Sequence, residues 1–198
     1  EMTWCLVGSE MCIRDSRKLD GSWENAARNL NKKLQATIIG RSRKQKLSYG
    51  NDYVIETYKS FKSKYSLRLY EQCFSQTNPK ICDKMLSWVE KNLIFSDDDV
   101  VELHCGLGTF TMLLSKIFRK VLATENSRPS FAGLKENLRL NKCFNVNVAR
   151  LSGHETLQAI SNERSFNRLG GIDISEFKFN TIFLAVSYTH LTLPTRYR

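Results

Sequence analysis

The sequence predicts an α/β fold on a parallel sheet, preceded by part of a smaller α+β region. Three observations carry that expectation. From residue 100 on, apolar runs alternate with helical patterns: "VVELH" (100–104), "TFTMLLSKIF" (109–118), "KVLATE" (120–125), "RPSFAGLKENLRLN" (128–141) and "FNVNVAR" (144–150). Such alternation means βαβ units and parallel strands. Two glycines, Gly106 and Gly108, fall where the first strand gives way to the first helix. An acid, Glu125, closes the second strand 17 positions after Gly108.

The elements follow in order. Residues 19–36 form a helix pattern with Trp23, Ala27, Leu30 and Leu34 near 3.6-residue spacing. "TIIG", "KLS" and "YVIET" read as short strands. Within residues 74–93, Asn78 and Pro79 mark the start of a helix, an N-cap residue followed by proline at the first helical position. Ile81, Met85, Trp88 and Val89 are expected on its buried face. In the helix over 109–118, Phe110, Leu113, Leu114 and Ile117 point inward. In the one over 128–141, Phe131, Leu134 and Leu138 do so. A short helix over 154–160 and a fourth strand, "FNTIFL" (179–184), complete the pattern.

Composition narrows the function. The chain has 198 residues, a hydrophobic fraction of 41% and a formal charge of +10. That charge favours a polyanionic partner, nucleic acid before membrane surface. No apolar run approaches the roughly 18 residues of a membrane helix. The six cysteines, at 5, 12, 73, 82, 105 and 143, form no CxxC pair and have no histidine at ligand spacing. This argues against zinc and iron–sulfur sites, and scattered single cysteines suit a reducing cytoplasm. Basic residues at Arg41, Arg43, Lys44 and Lys46 lie on a predicted hairpin, and "YKSFKSKYSLRLY" (58–70) interleaves lysines with aromatic rings. Cations neutralise phosphates and flat rings stack on bases, so both stretches are candidate RNA surface, the alternative being a solvated hairpin and loop.

In open α/β sheets ligands sit at the carboxyl ends of the strands, where "HCGLGT" lies. Gly106 and Gly108 let the backbone turn tightly and approach a ligand, and Glu125 is placed to accept two ribose hydroxyls. A dinucleotide fingerprint needs a third glycine where this chain has Thr111, which disfavours a dehydrogenase. Glu102, ahead of the glycines, gives E-x-x-x-G-x-G, the pattern of S-adenosylmethionine methyltransferases. Cys105 is read as a small side chain beside the cofactor rather than a nucleophile, because no histidine is placed as its base.

The two ends stand apart. "MCIRDS" (11–16) and "VSYTHLTLPT" (186–195) match translations of a transposase sequencing adapter. Residues 1–16 and 185–198 are therefore expected to be adapter-derived, with 17–70 a partial α+β RNA-binding region and 71–184 a partial methyltransferase domain, truncated on both sides.

"FSQTNPK", "ELHCGLGTF", "VLATENSRPS" and above all "RSFNRLGGIDISEFKFNTIFL" (164–184) resemble the bacterial tRNA uracil-5-methyltransferases across nearly all of residues 17–184. The resemblance implies a Rossmann-like class I S-adenosylmethionine methyltransferase fold and a monomer without metal that forms ribothymidine in the T-loop of tRNA. It also implies a cofactor pocket including Gln76, His104, Gly106, Gly108, Thr109 and Glu125. The family often carries Tyr at position 104 and Asn at 109, and continues with Asp-Pro-Pro-Arg where this chain has Ala185. In the resembled enzymes a cysteine thiolate adds to carbon 6 of uracil, carbon 5 is methylated, and a glutamate removes the carbon-5 proton. Both residues lie downstream of Asp-Pro-Pro-Arg, so no catalytic residue is expected here. A ribosomal-RNA uracil methyltransferase and a non-catalytic RNA-binding module are the alternatives.

Replacing Arg41, Arg43, Lys44 and Lys46 together by Ala is expected to weaken RNA binding and flatten its salt dependence. Each phosphate that is no longer neutralised takes roughly 0.7 to 0.9 off the log–log slope. An unchanged slope in a salt titration would leave the hairpin a solvated surface only.

Overall fold

The computed structural model describes residues 4–7, 10–14, 18–42, 45–94 and 96–185. The chain divides into two compact units, Glu1–Val54 and Ile55–Arg198.

The first unit holds β1 (Trp4–Val7), β2 (Glu10–Arg14), α1 (Gly21–Leu34), β3 (Ile38–Ser42) and β4 (Gln45–Tyr49). Its sheet runs β1-β2-β3-β4, antiparallel except for the parallel β2/β3 pair. Residues 4–7 and 10–14, expected to lie outside the fold, are thus strands. Asp20 caps α1 by accepting from the Trp23 N–H at 2.9 Å. The Trp23 ring lies on Gly40, where an added Cβ would come within 2.2 Å of it. Asn31 donates to the carbonyls of Ala36 and Tyr49, tying the helix end to β4. Ala27 is buried as expected, but Leu30 and Leu34 are exposed, Leu34 by 52%. The apolar stripe is real, yet within this unit only its first half meets the sheet, at Gly40 and Tyr49. Arg41 and Lys46 face each other across β3/β4, so their side chains leave the same face of the hairpin. Arg43 and Lys44 lie outside the described residues.

A hairpin of β5 (Tyr53–Lys59) and β6 (Lys64–Tyr70) follows, in the second unit from Ile55 on, then α2 (Pro79–Asn92). There follow β7 (Ser96–Leu103), α3 (Thr111–Ile117), β8 (Phe118–Thr124), α4 (Arg128–Leu140), β9 (Val146–Ala149), α5 (Gly153–Ile160) and β10 (Phe179–Leu184). The sheet is wholly parallel in the order β10-β7-β8-β9. The chain steps outward from β7 through β8 to β9, then returns to the other side of β7. That reversal puts a topological switch point at the carboxyl end of β7. Strand alternation splits the core in two. Val100, Val121 and Ala123 join a cluster with α2, α3, α4 and the hairpin. Val101, Leu103, Leu122 and Ala149 join another with Ala159 of α5 and Phe166.

Three expectations about inward faces change. On α2, Asn78 caps and Pro79 starts the helix as expected, and Val89 is buried. Ile81, Met85 and Trp88, however, are 49%, 37% and 66% exposed, while Cys82 and Leu86 are buried. The rotation of the helix is set by acids: Asp83 accepts from the Lys59 N–H at 2.7 Å, and Glu90 from the Lys62 N–H at 2.8 Å and the Ser63 hydroxyl at 3.1 Å. Turning Asp83 and Glu90 to the hairpin carries the 81/85/88 stripe outward. In the hairpin, Tyr58 and Tyr65 are buried in the core, so these rings of the 58–70 segment do not form an RNA surface; Phe61, in the turn, is exposed. On α4, Leu134 and Leu138 are buried, but Phe131 is half-buried beneath the Lys135 ammonium.

Two polar devices close this unit. Asn137 on α4 and Asn141, one turn later at its C-cap, bond the backbone of Arg68 and Ser66 on β6. Each accepts from the N–H (2.8 and 3.2 Å) and donates to the carbonyl (3.2 and 2.8 Å). Four residues of helix and two of strand both advance about 6 Å, which lets the two amides continue β6 as a neighbouring strand would. At the other end of the sheet, buried Asp99 accepts from the N–H groups of Lys120 and Lys178 (3.0 and 2.7 Å) and from the Arg119 guanidinium (2.5 Å). One carboxylate therefore ties β7 to β8 and to the approach to β10. Asp99→Ala is expected to cost about 3 kcal/mol, since it strands two amides and a cation. A change under about 1 kcal/mol in urea unfolding would contradict this.

Candidate functional site

The loop leaving β7 is bent by positive φ at His104 (56°), Gly106 (58°) and Gly108 (92°). A Cβ on Gly106 would meet nothing within 4 Å, so its glycine serves the backbone angle and leaves the loop open. A Cβ on Gly108 would strike Leu134 at 2.6 Å and Met112 at 2.9 Å. The first glycine thus faces the recess, and the second packs the loop onto α3 and α4.

Side chains from outside hold the loop. Glu125, just past β8, accepts from the Gly106 N–H at 3.0 Å with one oxygen and from the Ser127 N–H at 2.7 Å with the other. Asn137 donates to the Leu107 carbonyl at 3.0 Å. Tyr65 donates to the Thr109 carbonyl at 2.9 Å. Glu102, buried beneath the loop, accepts from the Thr111 hydroxyl at 2.5 Å. Thr111, which sequence reasoning used only as a missing glycine, is therefore the donor for a buried acid. Burial pushes the Glu102 carboxyl up to about 8; the Thr111 bond lowers it and the charge of Glu125 raises it.

Phe74, Gln76, Glu102, His104, Gly106 and Thr109 line one recess at this switch point, and Ala185 borders it. Four of the six residues expected in the pocket, Gln76, His104, Gly106 and Thr109, thus come together. Gly108 lies behind the loop, and Glu125 reaches the site through Gly106. His104 is exposed and its ring covers Gly153, where a Cβ would sit 2.9 Å from Nε2. Cys105 is buried, and burial, with the charges of Glu102 and Glu125, raises its thiol well above the usual range. A thiol so held is not a nucleophile.

Sequence reasoning missed Phe74, Tyr65 and Asn137. Paired asparagines one turn apart, in a helix they disfavour, were the available signal for Asn137. Tyr65 had none, since its role depends on where the hairpin packs. The "FNRLGGID" stretch also takes on a physical role. Arg168 donates to the Arg150 carbonyl at 3.0 Å and pairs with Glu155, whose carboxylate completes the capping box of α5 with Ser152. Among the described residues, no three or more His, Cys, Asp and Glu side chains are grouped to hold a metal ion, and no helix is long and apolar enough to cross a membrane.

The sequence model of the tRNA (Uracil-5-)-methyltransferase family matches residues 9–191. The chain belongs to this family. It is 43% identical over 170 residues to the tRNA/tmRNA (uracil-C(5))-methyltransferase of Acinetobacter baylyi, covering 85% of this chain and 47% of that one. The Cellvibrio japonicus enzyme of the same name is 41% identical over 168 residues, with coverage of 85% and 46%. The chain thus spans about half the length of the curated relatives it matches. Among solved structures, the Pyrococcus abyssi tRNA (uracil-54, C5)-methyltransferase in complex with S-adenosyl-L-homocysteine aligns over 70% of this chain and 34% of its own, with a TM-score of 0.52 and 15% identity. That likeness shows the Rossmann-like methyltransferase fold. For this family member, the recess and its glycine loop lie at the switch point of that fold.

Glu102 makes stability depend on pH. Its pKa in the folded chain, about 8, lies above the ordinary value of 4.5, so the folded state holds the proton more tightly than the unfolded state. Its contribution is fully present below pH 4.5 and is lost as pH rises to 8, by up to about 1.4 kcal/mol per pH unit. Glu102→Gln is expected to flatten that decline in denaturation measured from pH 5 to 8. An unchanged decline would show that another group causes it.

Proposed function

We propose that this chain carries the S-adenosylmethionine site and part of the RNA surface of a tRNA uracil-5-methyltransferase acting on carbon 5 of the T-loop uridine, as a cytoplasmic monomer. The observation that carries this reading is the recess itself. Gln76 before α2, His104 and Gly106 on the glycine loop, and Thr109 before α3 converge on one cavity at the switch point, in a chain 43% identical to such an enzyme.

The residues present fit the cofactor. Gly106 leaves room for close approach, and the Glu125 carboxylate beside it suits ribose hydroxyls. When bound there, S-adenosylmethionine supplies the methyl group. Gln76, His104 and Thr109 are the polar side chains that orient the ligand. Glu102, with its raised pKa, sits below the loop as a hydrogen-bonding group more than as a charge. Arg41, Arg43, Lys44 and Lys46 supply the cations for RNA phosphates. Residues 17–70 contribute in this reading to the RNA-binding region and 71–184 to the methyltransferase domain, whose core also takes in the buried side of the 55–70 hairpin.

Methyl transfer needs groups beyond these. Cys82 and Cys105 are buried with raised pKa values, to about 11 for Cys82, so neither offers a thiolate to uracil. The nucleophilic cysteine and the glutamate base lie, on this reading, in the part of the family's sequence after Asp-Pro-Pro-Arg, and these 198 residues alone do not turn over. Ala185 borders the recess where the family's Asp belongs, which removes one polar group from the ligand.

Calorimetry with S-adenosylhomocysteine is expected to show binding weaker than that of the full-length Acinetobacter enzyme. Glu125→Ala should weaken it further by about tenfold, or 1.4 kcal/mol. Affinity equal to the full-length enzyme, or unaffected by loss of Glu125, contradicts the proposal.

A further inference from the structure

The carbonyl of Thr109 is left over by the helix it precedes. In a regular α-helix the N–H of residue 113 would donate to it. Here the Leu113 and Leu114 N–H groups both donate to the Phe110 carbonyl at 2.9 Å, and Met112 donates to Gly108 at 3.2 Å. Among the described residues no backbone N–H reaches the Thr109 oxygen. Its donor is the Tyr65 hydroxyl, at 2.9 Å.

Tyr65 is suited to that task. Its ring is buried on β6 beside Tyr58, with centroids 6.4 Å apart, so the hydroxyl has little freedom to leave. Burial raises its phenol far above the usual range, and it stays a donor at any working pH. The strand beneath it is fixed to α4, because Asn141 and Asn137 bond the backbone of Ser66 and Arg68 on either side of Leu67. Asn137 also donates to the Leu107 carbonyl. The hairpin and α4 therefore hold the loop at two carbonyls, 107 and 109, while Glu125 holds the amide of 106. The peptide plane fixed by Tyr65 joins Thr109 to Phe110, and both residues line the recess.

We propose that Tyr65 is a positioning residue for the ligand loop. Through its hydroxyl on the Thr109 carbonyl, the β5–β6 hairpin sets the loop's binding geometry, so that ligand in the recess and order in the hairpin favour one another. This rests on the reading of the recess as the cofactor site. Linkage makes the effect reciprocal: what tightens the loop for the ligand is tightened by it.

The test is Tyr65→Phe, which removes one hydroxyl and keeps the ring. In ligand-free protein, hydrogen exchange at the amides of residues 106–112 should quicken about five- to tenfold, with β8 and the middle of α4 unchanged. Exchange unchanged in the loop, or quickened equally throughout the second unit, overturns the proposal, since the hydroxyl would then be idle or a general packing contact. Saturating S-adenosylhomocysteine should slow exchange at residues 65–69 of the original chain and not of the variant, and the variant should bind about fivefold more weakly. Equal protection or equal affinity in both also overturns it. If the original chain binds no S-adenosylhomocysteine, the cofactor reading fails, while loop exchange without ligand still decides whether Tyr65 holds the loop.

Discussion

The amide of Asn137 is the contact on which the second unit depends. It is fully buried in α4 and forms three hydrogen bonds: one to the glycine-loop carbonyl of Leu107, and two with the N–H and carbonyl of Arg68 on β6. Three segments distant in sequence meet at one side chain. A buried amide is costly without partners and directional with them, so it specifies a single arrangement where apolar packing alone would tolerate several. Gly133, one turn earlier on the same helix, makes the approach possible: a Cβ there would lie 2.5 Å from Leu107 and 2.9 Å from Tyr70.

The site inherits its order from that arrangement. The loop keeps positive φ at three nearby residues, which glycine supplies freely at 106 and 108 and His104 adopts at a cost. Glu125 holds it from β8, Asn137 from α4 and Tyr65 from the hairpin, while Thr111 and Glu102 form a buried pair below it. Asp99 does the corresponding work at the opposite end of the sheet, where three donors on neighbouring segments converge on one carboxylate. The sheet is thus clamped at its base, and its upper end is free to present a shaped loop.

Where the structure departs from sequence-based expectation, the cause is a shared one. On α2, Ile81, Met85 and Trp88 are as apolar as Cys82, Leu86 and Val89, so periodicity alone could not choose the buried stripe. Asp83 and Glu90 chose it, by bonding to backbone amides of a hairpin that the helix's own sequence does not mention. Tyr58 and Tyr65 sit among lysines in sequence but inside the core in space, because strand alternation sends the lysines outward and the rings inward. Phe131 follows the helical pattern but lies at its first turn, under the Lys135 side chain rather than in the core.

By itself the sequence determined the parallel βαβ order, the cap of α2, the place of the glycine loop and most of the lining of its recess. These are local matters: periodicity, capping chemistry and glycine spacing act within a few residues, and the family motifs are contiguous. Only the tertiary structure decided which stripe of α2 is covered, that Thr111 serves Glu102, and that Asn137 and Tyr65 hold the loop. Each of those is a directional hydrogen bond between segments nine to forty-four residues apart, and its partner exists only once the sheet, the helices and the hairpin have packed together.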